Sequence, residues 1–215
     1  MLTFTKNEIR DLIVAFIVIS IAFAISNVGL DVHGFLSILP IVMVGVGVGN
    51  LLHELGHKYV AMKYGHQSEF KAWPLGLIIA LATAFIGWVF AAPGSNQIYD
   101  DVDDERNGRI SIAGPMANMV LALIFLVIAT LIYPFKPHSG IFVLIYLIST
   151  VGFSVNSFLA AFNLLPLYSL DGTKVLKWNI KIWIIAFAIA AIMLLSSITI
   201  GAENMVKLII AGAVI

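Results

Sequence analysis

The sequence predicts an all-α polytopic membrane protein of five to six transmembrane helices, with a re-entrant or β-hairpin segment at about residues 70–92. Three observations predict it. Of 215 residues, 60% are apolar and only 11% charged, where an ordinary soluble domain carries about 25% charged residues. Mean hydropathy is +1.02. Charge-free runs of bilayer length recur from end to end of the chain. One core of this size cannot hide that much apolar surface, so lipid is the expected solvent.

The runs in order are 12–30, 35–57, 75–92, 110–133, 139–167 and 181–200. The first follows Lys6 and Arg10. It is too long for a signal-peptide core and Ala22-Phe23-Ala24 is a weak cleavage site, so it reads as a retained span. The second contains Pro40, expected to kink the helix or sit in its first turns, and Gly45 and Gly49 at G-x-x-x-G spacing, expected to serve internal packing. Gly114 and Asn118 repeat that spacing in 110–133, where Asn118 is placed to bridge to a freed backbone carbonyl. The amphiphilic piece 205–215 is too short to span. Trp73, Trp178 and Trp183 fall near run ends, as interfacial anchors do; Trp88 fits this less well. The acidic stretch Asp100 to Glu105 reads as a solvated loop. The chain is expected to form a single membrane-embedded domain over 1–215, with a core of about 35–178 and peripheral helices at 12–30 and 181–215.

Orientation depends on the run 75–92. If all six runs cross, Lys and Arg divide seven against five between the two sides, hardly a bias. If 75–92 dips in and returns, they divide ten against two, with only Lys136 and Lys207 on the outer side. The positive-inside rule favours the second arrangement. Pro74, Gly76, Gly87 and the "AAPG" at 91–94 suit a segment that turns back, provided it is buried in protein or lines a wet cavity.

Formal net charge is zero and there is no long basic run or basic helix, so nucleic acid is not an expected partner. There is no cysteine; disulfides, iron–sulfur clusters and thiolate zinc sites are excluded.

The chemistry lies in "NLLHELGHKYV", 50–60. His53 and His57 are four residues apart and share one helix face. With Glu54 they make H-E-x-x-H, in which two imidazoles hold zinc and the glutamate takes a proton from water. Ionisable groups in a spanning helix are expensive and usually functional. Catalytic zinc takes three protein ligands, so a third must come from elsewhere. His33 is about 30 Å from His53 along the same helix, and His138 falls on the outer side. His66 ranks second. Asp171, in "NLLPLYSLDG" at 163–172, ranks first: Pro166 unwinds the preceding helix and Gly172 permits a tight turn. Its bland alternative is a cap on a short helix, 172–179. Asp171 reaches the histidines only if an even number of crossings intervenes, which again requires 75–92 to turn back.

These residues resemble the site-2 protease family of intramembrane zinc metalloproteases. The matching pieces are "HELGH" at 53–57, "AGPMAN" at 113–118 and "NLLPLYSLDG" at 163–172, in that order. The resemblance implies His53, His57 and Asp171 as ligands of one Zn2+ per chain. It implies Glu54 as catalytic acid/base and Asn163 as a residue that helps hold substrate or the tetrahedral intermediate. It implies a multi-pass protein of a prokaryotic cell membrane with its site toward the cytosol, cutting within or near a membrane helix of another protein. The lipid bilayer and membrane-protein substrates are the expected partners; a homo-oligomer is compatible but not indicated. The apolar run 75–92 is longer than its equivalent in some relatives.

A polar path for water is expected from Asn50, Asn163 and Ser169. An unwound substrate needs partners for its backbone groups, and an extended edge within 70–92 is expected to supply them. The competing readings are a divalent metal transporter and an inactive relative that binds membrane segments without cutting.

Overall fold

The structure, a computed structural model, describes residues 3–167 and 170–212. Its elements are α1 (Lys6–Val28), α2 (Val32–Val42), a π-helical turn Met43–Gly47, α3 (Val48–Lys63), β1 (Ser68–Ala72), α4 (Pro74–Ala84), β2 (Gly94–Ile98), α5 (Asp104–Ile132), a 3-10 turn Tyr133–His138, α6 (Gly140–Asn163), α7 (Asp171–Trp178), α8 (Ile180–Thr199) and α9 (Ala202–Gly212). Among the described residues, five helical stretches are long and apolar enough to cross a bilayer: Lys6–Val28, Val32–Lys63, Asp104–His138, Gly140–Asn163 and Ile180–Thr199. Large apolar side chains on their outer faces stay exposed, among them Val120, Leu123 and Val127 on α5 and Ile185, Ile189 and Ile192 on α8. Such a surface belongs against lipid. The protein is an all-α polytopic membrane protein.

The run 75–92 does not span. Trp73 and Pro74 start α4 with proline at its first position, where no amide hydrogen is needed. The helix has 11 residues, about 16 Å, roughly half a bilayer core. It stops at Ala84, the chain reverses at Gly87 with φ of 80°, and residues 88–93 lead to β2 without regular secondary structure. Thr83 secures the reversal: its hydroxyl accepts from the Phe90 amide at 3.1 Å. Phe90 and Trp88 both lie edge-on to Phe162 of α6, at 5.5 and 6.1 Å, which makes Trp88 a packing residue. β1 and β2 then pair antiparallel with Ala72 opposite Gly94. The segment therefore leaves and re-enters at one level, and five spans remain of the expected five to six.

Pro40 lies inside α2, with the π-helical turn beginning three residues later; helix α2–α3 runs on through both. The acidic stretch is not simply a loop. Asp103 caps α5 by accepting from the Arg106 amide, and Asp104 and Glu105 occupy its first turn, where the helix dipole favours negative charge. Of the piece 205–215, residues 205–212 belong to α9, which packs against α5 and α6; 213–215 lie outside the described residues.

α1 does more than cross. Glu8 and Lys58 are 1% and 3% exposed and form an ion pair at 2.7 and 2.8 Å. Lys58 also donates to the Ser68 carbonyl, and Glu8 accepts from the Phe70 amide. Asp11, one turn on, accepts from the Ala72 amide. The outer edge of β1 is thus covered by acidic side chains of α1, and β1 is tied to the residue that follows His57.

Candidate metal centre

His53 and His57 project from α3 toward α5 and α7 and Glu54 toward β2, and all three are buried. α6 ends at Asn163, and 164–167 are non-helical around Pro166. The Leu164 carbonyl, left over at that helix end, accepts from the Trp183 indole at 2.9 Å. α7 begins at Asp171, whose side chain makes no capping bond. Its Oδ2 lies instead 3.3 Å from His53 Nε2 and 3.2 Å from His57 Nε2. The two Nε2 atoms are 3.0 Å apart. Three atoms that could hold a metal ion, from two distant parts of the chain, converge.

Hydrogen bonding settles which atoms these are. His53 Nδ1 donates to Asn118 Oδ1 at 2.6 Å and His57 Nδ1 donates to the Ile110 carbonyl at 2.8 Å. In a neutral imidazole the other nitrogen then carries a lone pair. With both rings neutral, two lone pairs and a carboxylate oxygen face one another, an arrangement that suits a cation. Ligands about 2.0–2.1 Å from a tetrahedral zinc stand about 3.3 Å apart, close to the separations found. The donor set of two imidazoles and a carboxylate is one zinc takes in catalytic sites with a position left open. Both imidazoles nest against Gly114 of α5, where a Cβ would overlap His57 Nε2.

The cluster lines a cavity of about 540 Å³ together with Asn50, Gly94, Asn96, Asn163 and Lys174. Of the sequence-derived residues, His53, Glu54, His57 and Asp171 come together. Asn163 lies on the cavity wall, its side-chain amide donating to the Leu159 carbonyl of its own helix. Asn50 also lines the cavity; Ser169 lies outside the described residues. His66 does not join the cluster and pairs with Asp100 at 3.3 Å. His33 and His138 are exposed at the second residue of α2 and the end of the 3-10 turn. Asn96 was not singled out by the sequence: its side chain reaches Glu54 from β2. Nothing in its spacing signals this, because the contact crosses 42 residues and depends on the strand pairing.

The chain is 43% identical over 184 residues to "Putative zinc metalloprotease MJ0611" of Methanocaldococcus jannaschii, covering 85% of this chain and 90% of that protein. The chain belongs to this zinc metalloprotease family. It is also 29% identical over 155 residues to "Putative zinc metalloprotease YwhC" of Bacillus subtilis, covering 66% of this chain and 70% of that protein. "Zinc metalloprotease MJ0392" of Methanocaldococcus jannaschii is 28% identical over 158 residues, which is 73% of this chain and 39% of that longer protein. No family model matches the chain, and no solved structure matches it. The protein is a zinc metalloprotease, and zinc is its metal.

Proposed function

We propose that the protein is an intramembrane member of the zinc metalloproteases, akin to the site-2 protease family, and that it hydrolyses a peptide bond in or near a membrane helix of another protein. One observation carries the reading: a His53–His57–Asp171 cluster, on spanning helix α3 and at the start of α7, opens into a cavity beside an unpaired strand edge. His53, His57 and Asp171 hold one zinc ion per chain. When bound, zinc lowers the pKa of water from 15.7 to about 7 and polarises a carbonyl. Glu54 accepts the proton from the attacking water and returns it to the leaving amide nitrogen. Asn163, on the cavity wall, faces the substrate. The site lies toward the cytosol in a prokaryotic cell membrane, the side on which ten of the twelve Lys and Arg residues fall.

A helical substrate must unwind before its scissile bond is reached, and its freed backbone groups need partners in a dry setting. The edge that supplies them lies further on than 70–92. The bond from the Trp73 amide to the Pro93 carbonyl, at 2.8 Å, sets the phase of the ladder. With the observed register, Lys71/Ser95 and Glu69/Gln97 exchange hydrogen bonds. The amides and carbonyls of Gly94, Asn96 and Ile98 therefore point away from β1, along an edge with no further strand among the described residues. The opposite edge is closed by Glu8 and Asp11. β2 is thus the strand to which an extended substrate adds, beside Glu54.

The test is cleavage of a synthetic membrane helix and zinc content, measured on purified wild type, Glu54→Gln and Asp171→Ala. The reading expects Glu54→Gln to keep zinc and lose about 10²–10⁴-fold in turnover, and Asp171→Ala to lose both. Zinc flux into proteoliposomes that survives Glu54→Gln, with no cleavage by the wild type, points instead to a transporter. Zinc-dependent capture of the helix without cleavage points to a binding protein.

A further inference from the structure

We propose that Asn118 of α5 and Asn156 of α6 form an oriented amide relay that sets the tautomer and ring orientation of His53, making both of them positioning residues for the metal. The inference rests on reading His53 as a zinc ligand. Both asparagines are fully buried. Asn156 Nδ2 donates to two main-chain carbonyls, Gly45 and Gly152, each at 2.8 Å. Both are acceptors only, so the amide has one orientation and its oxygen must face the other way. That oxygen accepts from Asn118 Nδ2 at 2.9 Å. The second hydrogen of Asn118 Nδ2 goes to the Gly49 carbonyl at 3.1 Å. All four amide hydrogens of the pair are committed. What Asn118 presents to His53 can only be its oxygen, and the 2.6 Å contact with Nδ1 is a bond that Nδ1 donates.

The consequence reaches the metal. With its proton held on Nδ1, His53 keeps a lone pair on Nε2, facing His57 and Asp171. An asparagine turned end for end would offer N–H to Nδ1 and drive the proton to Nε2, where it blocks coordination. Backbone carbonyls of the zinc-bearing helix, one of them in its π-helical turn, thereby fix the polarity of a ligand on that same helix, by way of two neighbouring helices.

The small residues make room for this. A Cβ on Gly49 would overlap Asn156 Oδ1, and one on Gly45 would lie 3.1 Å from the Gly152 backbone. The G-x-x-x-G pair is thus occupied inside the chain by the relay. The buried setting raises the stakes: a polar group left unpaired here loses its bond to water with nothing in exchange, so the network is held in one arrangement.

Zinc affinity, measured by chelator competition on the full-length protein in detergent, tests the relay without using activity. Asn118→Leu removes the acceptor and is expected to weaken zinc binding about 10–100-fold. Asn118→Asp still accepts from His53 Nδ1 but cannot donate to Gly49 or Asn156; it is expected to lower the thermal stability of the zinc-free protein while keeping affinity close to wild type. Asn156→Leu frees Asn118 to turn over and is expected to weaken binding less than Asn118→Leu does. Affinity unchanged in Asn118→Leu, or lost equally in the Leu and Asp variants, overturns the relay, since the second result is what a purely structural cross-link gives. Unchanged affinity in Asn156→Leu removes Asn156 from it. His53→Ala in the same titration reports on the underlying reading: if it binds zinc as wild type does, His53 is no ligand and the relay has no purpose.

Discussion

The side chain of Asn96 donates a 2.7 Å hydrogen bond to Glu54 Oε2 and a 3.1 Å bond to the Glu54 carbonyl. Ser68 Oγ donates to Asn96 Oδ1 at 3.0 Å, which fixes the direction of the amide. Asn96 sits mid-strand in β2, whose edge is proposed to take the substrate, so one residue links the docking edge to the proposed base. Asn96→Ala is expected to lower kcat about 10–100-fold, the effect of losing a hydrogen bond to a charged group. Zinc content should be unchanged, and steady-state kinetics with metal analysis on the same samples would check both.

The strand edge makes a second prediction. The Ile98 amide points away from β1, so Ile98→Pro removes a donor from the free edge without removing a rung of the sheet. Cleavage of a helical substrate should fall, chiefly through KM, with zinc and thermal stability retained. Ser95→Pro, on the paired side, should also lower stability because it breaks the bond to Lys71. Equal kinetics for Ile98→Pro and wild type would remove β2 as the docking strand.

The buried pair of Glu8 and Lys58 predicts a stability asymmetry. Lys58→Met strands the Glu8 carboxylate in a dry site and should cost about 3–5 kcal/mol. Replacing both, with Glu8→Leu and Lys58→Met together, should cost less than the single change. Thermal unfolding in detergent of the single and double variants would measure this. Because β1 is fastened through the same pair, the single variant should also lose cleavage more steeply than zinc.

Metal removal supplies a further check. Without a cation, the His53 and His57 lone pairs and the Asp171 carboxylate face one another unscreened. Chelator-stripped protein should unfold at a lower temperature than zinc-loaded protein, and a hundredfold excess of zinc over its Kd should restore about 2.7 kcal/mol. In Asp171→Ala, whose cluster is incomplete, added zinc should shift the transition far less.

The parts of this site that were legible in the sequence were those carried by local spacing or by hydropathy. His53 and His57 announce themselves at i, i+4, and the Pro166 break before Asp171 announces a helix that must end. The turn-back of 75–92 followed from counting Lys and Arg, and α4 with the β1–β2 pairing bears it out. Its edge was misplaced because sequence patterning marks an apolar run but not the phase of a ladder: residues 74–84 had enough helix-forming leucine and alanine to form α4, and the free strand began at Gly94. Glu8 was illegible for another reason. A glutamate before an apolar run looks like an interfacial residue until Lys58, fifty residues on, is found against it. Asn96 and Asn156 share that property: Glu54 lies 42 residues from the one and Gly45 lies 111 from the other, and no periodicity encodes such distances, whereas Asn118, marked by its G-x-x-x-N spacing, does bridge to a backbone carbonyl, that of Gly49.

X-ray absorption at the zinc edge, on wild type loaded with one equivalent of zinc and on Asp171→Ala, tests the central claim most directly. The account predicts for the wild type two imidazole nitrogens at about 2.0–2.1 Å with light oxygen scatterers completing a four-coordinate shell, and for Asp171→Ala a weakened, solvent-filled site. A wild-type spectrum with no imidazole signature, or an identical spectrum and affinity in Asp171→Ala, would contradict it.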